Sequence, residues 1–182
     1  MRSLTVVALT VSLFACADLP PSRPATAQSE TGKALAEEFW STFHGGRYDE
    51  LDVLLEKHLQ LVAAEPTDPI TLSHAGWLHA WKLSEATRAP RNASIIGSAT
   101  LARAYFKEAV ALSPDDARYL GFYAGFTMSE GSILGNEAQV RQGYFTMQEA
   151  VSRWPEFNLF TSGYVMSRGE VTGPQFKEGL VE

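Results

Sequence analysis

Apolar residues recur along most of this chain at the three- and four-residue spacing of one face of an α-helix. One such stripe consists of Leu51, Leu54, Leu55, Leu59 and Val62. A second consists of Ala102, Tyr105, Phe106, Ala109 and Val110. From residue 29 onward this helical spacing dominates, and the alternating pattern that would indicate a strand does not persist. The pattern therefore predicts an all-α fold.

Helix boundaries are marked by glycine, proline and capping residues. Gly45-Gly46 predicts the end of the first helix. Asp68-Pro69 and Ser113-Pro114 each place a side-chain oxygen before a proline at a first helical position, which predicts two helix starts. Asn136, with Gln139 three residues later, resembles a capping box. Together these signals predict about six or seven helices.

The helical part of the chain repeats itself. Three segments, 61–66, 109–114 and 150–155, end alike, with small and apolar residues that lead to a proline. After each proline the next predicted helix carries a pair of small residues: Ala75-Gly76, Ala124-Gly125 and Ser162-Gly163. Small residues let two helix backbones approach closely, so the pattern predicts repeated helix pairs that stack on one another.

This repeat resembles the tetratricopeptide repeat (TPR), a helix-turn-helix unit whose second helix ends near a proline. In the best match, 101–114, the family's small, aromatic, small and proline positions are held by Ala102, Phe106, Ala109 and Pro114. The three prolines lie 48 and 41 residues apart, so the connections are longer than in the family, whose period is about 34. The resemblance implies a TPR-like stack of antiparallel helix pairs, an α-solenoid, over residues 29–182.

The last segment, 174–182, does not resemble the polar capping helix that usually closes a solenoid. It carries the apolar residues Phe176, Leu180 and Val181. We therefore expect either that the chain is a truncated form of a longer protein or that this segment docks on a partner.

Residues 1–15 have the features of a bacterial secretion signal: Arg2 is followed by the 12 apolar-dominated, uncharged residues 4–15, too few to span a hydrocarbon core, which needs about 20. The stretch 13–16, Leu-Phe-Ala-Cys, resembles the lipobox of bacterial lipoproteins. This resemblance implies cleavage before Cys16, lipidation of Cys16 and, because Ala17 follows, an outer-membrane anchor that faces the periplasm. Residues 16–28 are predicted to be a tether, and the 12 residues after Cys16, which include three prolines, reach about 35 Å at roughly 3.1 Å each.

The charge balance argues against nucleic acid and anionic lipid headgroups as partners. The chain has 15 basic and 21 acidic residues, and removal of Arg2 with the signal leaves 14 against 21, a net charge of −7. Such a domain is repelled by nucleic acid and by anionic headgroups, so lipid is expected to hold it at the membrane. Because Cys16 is the only cysteine, its lipidation leaves none for a disulfide or a cysteine metal site.

No catalytic motif is present in the sequence: it has no Gly-x-Ser-x-Gly, no phosphate-binding loop and no His-Glu-x-x-His. The four histidines are His44, His58, His74 and His79. The last two are five residues apart, whereas two imidazoles that share a metal on one helix lie four apart. We therefore expect no catalytic residue, no metal site and no cofactor.

The resemblance also suggests a binding surface, because the first helices of TPR units line a groove that binds peptides. Its candidate residues, of which the exposed ones are expected to bind protein, are Trp77, Trp81, Lys82, Arg118, Tyr119 and Tyr123. The aromatic set also includes Phe122, Phe126 and Tyr105; most of its members are expected in the core, and any exposed ones on the binding surface. The predicted function is a non-catalytic, protein-binding adaptor or scaffold anchored to the bacterial envelope.

Two alternatives stay open at the level of the sequence. One is a periplasmic helical protein that binds a small ligand or a metal through an aromatic groove with His74 or His79. The other is an enzyme whose functional residues are too dispersed to recognise.

Overall fold

The computed structural model describes residues 19–86 and 94–168, which form seven α-helices, one 3-10 turn at Tyr48–Glu50 and no strand. The helices are α1 (Glu30–His44), α2 (Leu51–Ala64), α3 (Pro69–Ala86), α4 (Ser94–Leu112), α5 (Ala117–Leu134), α6 (Glu137–Arg153) and α7 (Pro155–Arg168). The all-α prediction is confirmed. The predicted signal segment, Cys16 and residues 169–182 lie outside the described residues. None of the helices in the described ranges combines the length and the apolar character needed to cross a membrane.

Each helix packs against the next one along the chain, and contacts also join α1 to α3 and α5 to α7. The connections after α2 and α4 are short, which makes successive helices antiparallel. The end of α6 lies beside the α4–α5 connection, because the Arg153 side chain donates a hydrogen bond to the Pro114 carbonyl at 2.6 Å. We call this end of the molecule, formed by residues 65–68, 113–116 and 153–155, the proline end.

Three of the predicted helix boundaries are confirmed, one of them at Asn136, whose side chain caps α6. Helix α1 ends at His44, and Gly46 has a φ of 62°, a left-handed conformation that glycine adopts without steric cost. Helix α3 begins at Pro69, and Asp68 accepts a hydrogen bond from the Ile70 backbone N–H at 3.0 Å.

The predicted start of α5 at Ser113-Pro114 is wrong. The Ser113 N–H still donates to the Ala109 carbonyl at 2.9 Å and so closes the last turn of α4. Helix α5 begins three residues after Pro114, at Ala117, and its N-cap is Asp116, whose side chain accepts from the Arg118 N–H.

The first described residues, 19–29, lie against the helices. Leu19 packs on the core, the Arg23 N–H donates to the Ala111 carbonyl at 2.7 Å, and the Thr26 N–H donates to the Thr67 carbonyl at 2.8 Å. We call residues 19–29 the N-terminal strap. This part of the predicted tether is therefore fixed to the helices instead of extending away from them.

The buried side chains form two clusters. The N-terminal cluster, on α1–α3, consists of Leu35, Phe39, Leu51, Leu54, Leu55, Leu61, Leu78 and Trp81. The second cluster, on α3–α6, consists of Leu72, Phe106, Ala109, Val110, Leu112, Tyr119, Leu120, Tyr123, Ala124, Met128, Met147 and Ala150. Gly76 lies where α3 crosses α4, as expected, because a Cβ there would be 2.9 Å from the Phe106 ring.

Candidate binding face

A row of half-buried aromatic rings crosses the four odd-numbered helices. It consists of Phe43 on α1, Trp77 on α3, Phe122 on α5 and Phe157 on α7. Successive ring centroids are 6.1 Å, 4.4 Å and 5.7 Å apart. We call these four residues the aromatic row. It joins four helices that are far apart in sequence into one partly exposed apolar strip.

The middle of the aromatic row rests on a fully buried ring of α4. The Phe106 centroid lies 6.2 Å from Trp77 and 5.1 Å from Phe122. Phe106 comes this close to α3 because Gly76 has no side chain. The two central rings are thus held from behind by packing, which limits the side-chain entropy that they would lose on binding a partner.

Exposed indole rings flank both ends of the row. Trp40 is 43% exposed and lies 6.1 Å from Phe43, measured between ring centroids. Trp154 is also 43% exposed and lies 5.4 Å from Phe157. Large aromatic rings that are partly exposed to solvent and partly packed against the protein are enriched at protein–protein interfaces.

Of the six residues predicted for binding, only Trp77 belongs to the aromatic row. Three others are buried, with exposures of 7% for Trp81, 9% for Tyr119 and 3% for Tyr123. Trp81 packs edge-on against Phe43 at 5.0 Å, and so supports the row from within the N-terminal cluster.

The two predicted cations are both engaged by carboxylates. The Lys82 ammonium lies 2.6 Å from Asp52 on α2, and the Arg118 guanidinium lies 2.7 Å from Asp116 and 5.8 Å from the centre of the Tyr119 ring. Burial alone would raise the pKa of Asp116, but hydrogen bonds from Arg118 and its charge bring that pKa below the usual value. Both pairs are partly exposed, so each contributes little to stability.

Arg118 also lines a cleft of about 500 Å³ at the proline end. The lining residues are Asp115, Asp116, Ala117, Arg118, Arg153 and Trp154. Both arginines of the cleft are paired, Arg118 with Asp116 and Arg153 with Glu149 at 2.6 Å. The cleft therefore holds neutralised ion pairs beside the Trp154 end of the aromatic row.

Sequence reasoning missed Phe43 and Phe157 as parts of a binding face, and it kept Phe122 only in the wider aromatic set on α5. A usable signal was present: Phe43 and Trp77 are 34 residues apart, and Phe122 and Phe157 are 35 apart. Both intervals match the period of about 34 residues of the repeat family. The interval between Trp77 and Phe122 is 45 residues and breaks the series.

Three histidines are buried and serve as packing groups. The His58 Nδ1–H donates to the Leu54 carbonyl at 2.8 Å, and the His74 ring stacks on Phe39 with centroids 4.1 Å apart. His79 stacks on Tyr105 at 5.6 Å. Burial lowers the pKa of His74 to about 3 and that of His79 to about 4, so both are neutral at pH 7. Within residues 19–86 and 94–168, no three His, Cys, Asp or Glu side chains are grouped so that they could hold a metal ion.

Compared with known proteins, this chain matches no family model, no curated protein and no solved structure.

Proposed function

We propose that this chain is a non-catalytic, TPR-like adaptor that binds a segment of a partner protein along the aromatic row. The observation that carries the proposal is the row itself, four half-buried rings on α1, α3, α5 and α7 with exposed indoles at both ends. These are also the first helices of the proposed repeat pairs, the position that lines the peptide-binding groove in the family that the sequence resembles.

The spacing of the rings favours an extended apolar segment as the bound element. In an extended chain, side chains that face the same way are about 6.6 Å apart, two residues of roughly 3.3 Å each. Two of the three ring-to-ring distances, 6.1 Å and 5.7 Å, are close to this repeat, and the central one is 4.4 Å. Alternate side chains of an extended peptide can therefore contact successive rings.

The non-catalytic part of the proposal is supported by what the buried ionisable groups do. Asp68 is fully buried and caps α3, where it accepts hydrogen bonds from Ile70 and Thr71. Glu130 is buried on α5 and forms an ion pair with Arg103 of α4. Each of these groups stabilises a helix end or a helix pair, and the sequence carries no catalytic motif beside them.

The binding site can be tested by photo-crosslinking in living bacteria. A photoreactive phenylalanine analogue replaces Phe122 or, in a matched control, Phe145, which is 40% exposed on the even-numbered helix α6. We expect one defined adduct with a partner protein from position 122 and none from position 145. Equal labelling at the two positions, or no adduct from position 122, would contradict binding along the aromatic row.

The anchoring part of the proposal is that Cys16 is lipidated and holds the protein in the outer membrane, facing the periplasm. It is supported by the lipobox-like sequence Leu13-Phe14-Ala15-Cys16. Mass spectrometry of the mature N-terminus should show a chain that begins at Cys16 with acyl chains attached. An unmodified Cys16, or a mature chain that begins elsewhere, would show that the anchor is wrong.

A further inference from the structure

We infer that the proline end is the membrane-facing end of this protein and that the N-terminal strap holds it against the bilayer surface. The inference rests on the proposed lipidation of Cys16. It adds an orientation and a membrane-apposed surface to that proposal, in place of a domain suspended on a free tether.

The strap is attached to the helices along its length. Leu19 packs on the second core cluster, and the Arg23 side chain pairs with Glu108 of α4. The Thr26 hydroxyl lies 3.2 Å from that of Thr67, beside the backbone hydrogen bond between the same residues. At the end of the strap, Ser29 caps α1 by accepting a hydrogen bond from Gly32 at 3.0 Å.

The chain between Cys16 and the strap is short. Leu19 is three residues after Cys16. A fully extended chain spans at most roughly 3.6 Å per residue, so the Leu19 Cα lies within about 11 Å of the lipidated residue. If the strap were free, the first fixed point would be Ser29, 13 residues after Cys16, and the reach would be about 40 Å at roughly 3.1 Å per residue.

The strap brings the proline end to the bilayer. The strap crosses the end of α4 at Ala111 and the α2–α3 connection at Thr67, and both lie at the proline end. The opposite end, with the α1–α2 and α5–α6 connections, is one helix length away, about 27 Å for an 18-residue helix such as α5.

The chemistry of the proline end fits contact with headgroups without insertion. Trp154 is exposed there, and tryptophan favours the membrane–water interface. Asp115 is exposed beside it, and its carboxylate disfavours entry into the hydrocarbon. Phe157 at the start of α7 is then the ring of the aromatic row nearest the bilayer, and Phe43 near the end of α1 is the most distant.

The test uses the full, lipidated chain on phosphatidylcholine vesicles. Because Cys16 is occupied by lipid, an introduced cysteine can be labelled selectively with a fluorophore. Asp115→Cys places the label at the proline end, and the matched control Glu137→Cys replaces another exposed carboxylate at the opposite end. We expect a nitroxide carried on the lipid headgroups to quench most of the fluorescence from position 115 and almost none from position 137.

A second variant tests the strap. Leu19→Ser combined with Arg23→Ala removes its packing and its ion pair, and we expect quenching at position 115 to fall to the level at position 137. Leu19→Met should leave the quenching unchanged. Equal quenching at the two positions in vesicle-bound protein, or no response to the double variant, would overturn the inference alone. Failure of the chain to float with the vesicles would instead overturn the lipid anchor and the inference with it.

Discussion

The N-terminal cluster and the α5–α6 pair hold their helices together in opposite ways. Between α1, α2 and α3 the core is filled by large side chains, with Phe39 only 1% exposed at the centre of a group of leucines. Between α5 and α6 the backbones themselves meet: a Cβ at Gly143 would lie 2.8 Å from the Met128 nitrogen and 2.9 Å from the Ala124 carbonyl oxygen.

The difference shows which change each region can tolerate. A core filled by large side chains loses stability when volume is removed, because a cavity remains. A crossing at backbone contact loses stability when volume is added, because two main chains must move apart. Removing volume should therefore damage α1–α3, and adding it should damage α5–α6.

The largest effect is expected from Phe39→Ala. The side chain stacks on His74 at 4.1 Å and on Phe43 at 5.8 Å, and its loss should lower the free energy of unfolding by about 3–5 kcal/mol. Chemical denaturation measures the loss, and amide hydrogen exchange should show it in α1 and α2 before α5 and α6. Phe39→Leu, which leaves a smaller cavity, should cost less. A loss under about 1 kcal/mol for the alanine variant would contradict a core filled by this ring.

The next largest loss of stability is expected from Gly143→Ala, which adds a single methyl group. Two backbone atoms of α5 block that methyl group, so we expect a loss of about 1–3 kcal/mol in the free energy of unfolding. The matched control is Gly97→Ala on α4, where a Cβ has nothing within 4 Å. There alanine should stabilise the helix by about 0.5–1 kcal/mol. Thermal unfolding of both variants measures the contrast, and shifts of the same sign would refute backbone contact at Gly143.

A third effect depends on pH and belongs to the N-terminal cluster. Burial lowers the pKa of His74 from 6.5 to about 3. The folded state therefore favours the neutral ring, and its contribution to stability is complete above pH 6.5 and is lost as the pH falls toward 3. The expected slope is about 1.4 kcal/mol per pH unit.

His74→Phe keeps a stacked ring and should make unfolding less dependent on pH between 6.5 and 5. His58 and His79, whose pKa values are also lowered by burial, should retain part of the dependence. Burial alone would raise the pKa values of Asp116 and Glu130, but hydrogen bonds and the neighbouring arginines lower both below the usual range, so these two carboxylates stay ionised in the folded state across that window. Urea denaturation at several pH values gives the slope, and identical slopes for the variant and the natural chain would contradict a buried neutral His74.

The smallest effect is expected at the start of α5. Asp116→Ala removes the side chain that accepts from the Arg118 N–H at 3.0 Å, at a cost of about 1 kcal/mol. Asp116→Asn should retain most of the cap. Ser113→Ala should cost less than either, since Ser113 ends α4 and does not begin α5. Differential scanning calorimetry can rank the three, and a larger loss for Ser113→Ala would restore the boundary predicted from the sequence.

The sequence by itself determined the helices and those boundaries that depend on neighbours in the chain. These signals include the helical spacing, Gly45-Gly46 and Asp68-Pro69, and each depends on residues within about four positions in the chain. They could therefore be interpreted without knowing which helices pack against them. The capping interaction at Asn136 is equally local, and its side chain accepts from the Gln139 N–H at 3.2 Å as predicted.

The prediction that the three prolines occupy equivalent positions was only partly correct, because proline fits two different local positions. Pro66 and Pro114 each follow the first residue of a four-residue turn. The turns are closed by the backbone N–H groups of the two capping aspartates, which donate to the Glu65 and Ser113 carbonyls at 3.3 Å and 3.1 Å. Pro155 instead begins α7 directly, and Trp154 alone separates it from α6. A proline fits either place, because both require the same φ and neither requires its missing N–H.

Only the tertiary structure decided which aromatic rings stay partly exposed and where the strap lies. Tyr119, Phe122 and Tyr123 have similar spacing along α5, yet Phe122 alone reaches Trp77 and Phe157, which are at least 35 residues away in the chain. Leu19 is likewise covered by residues of helices that follow it much later. Periodicity fixes the direction of a side chain on its own helix, but its exposure depends on the helices that pack beside it.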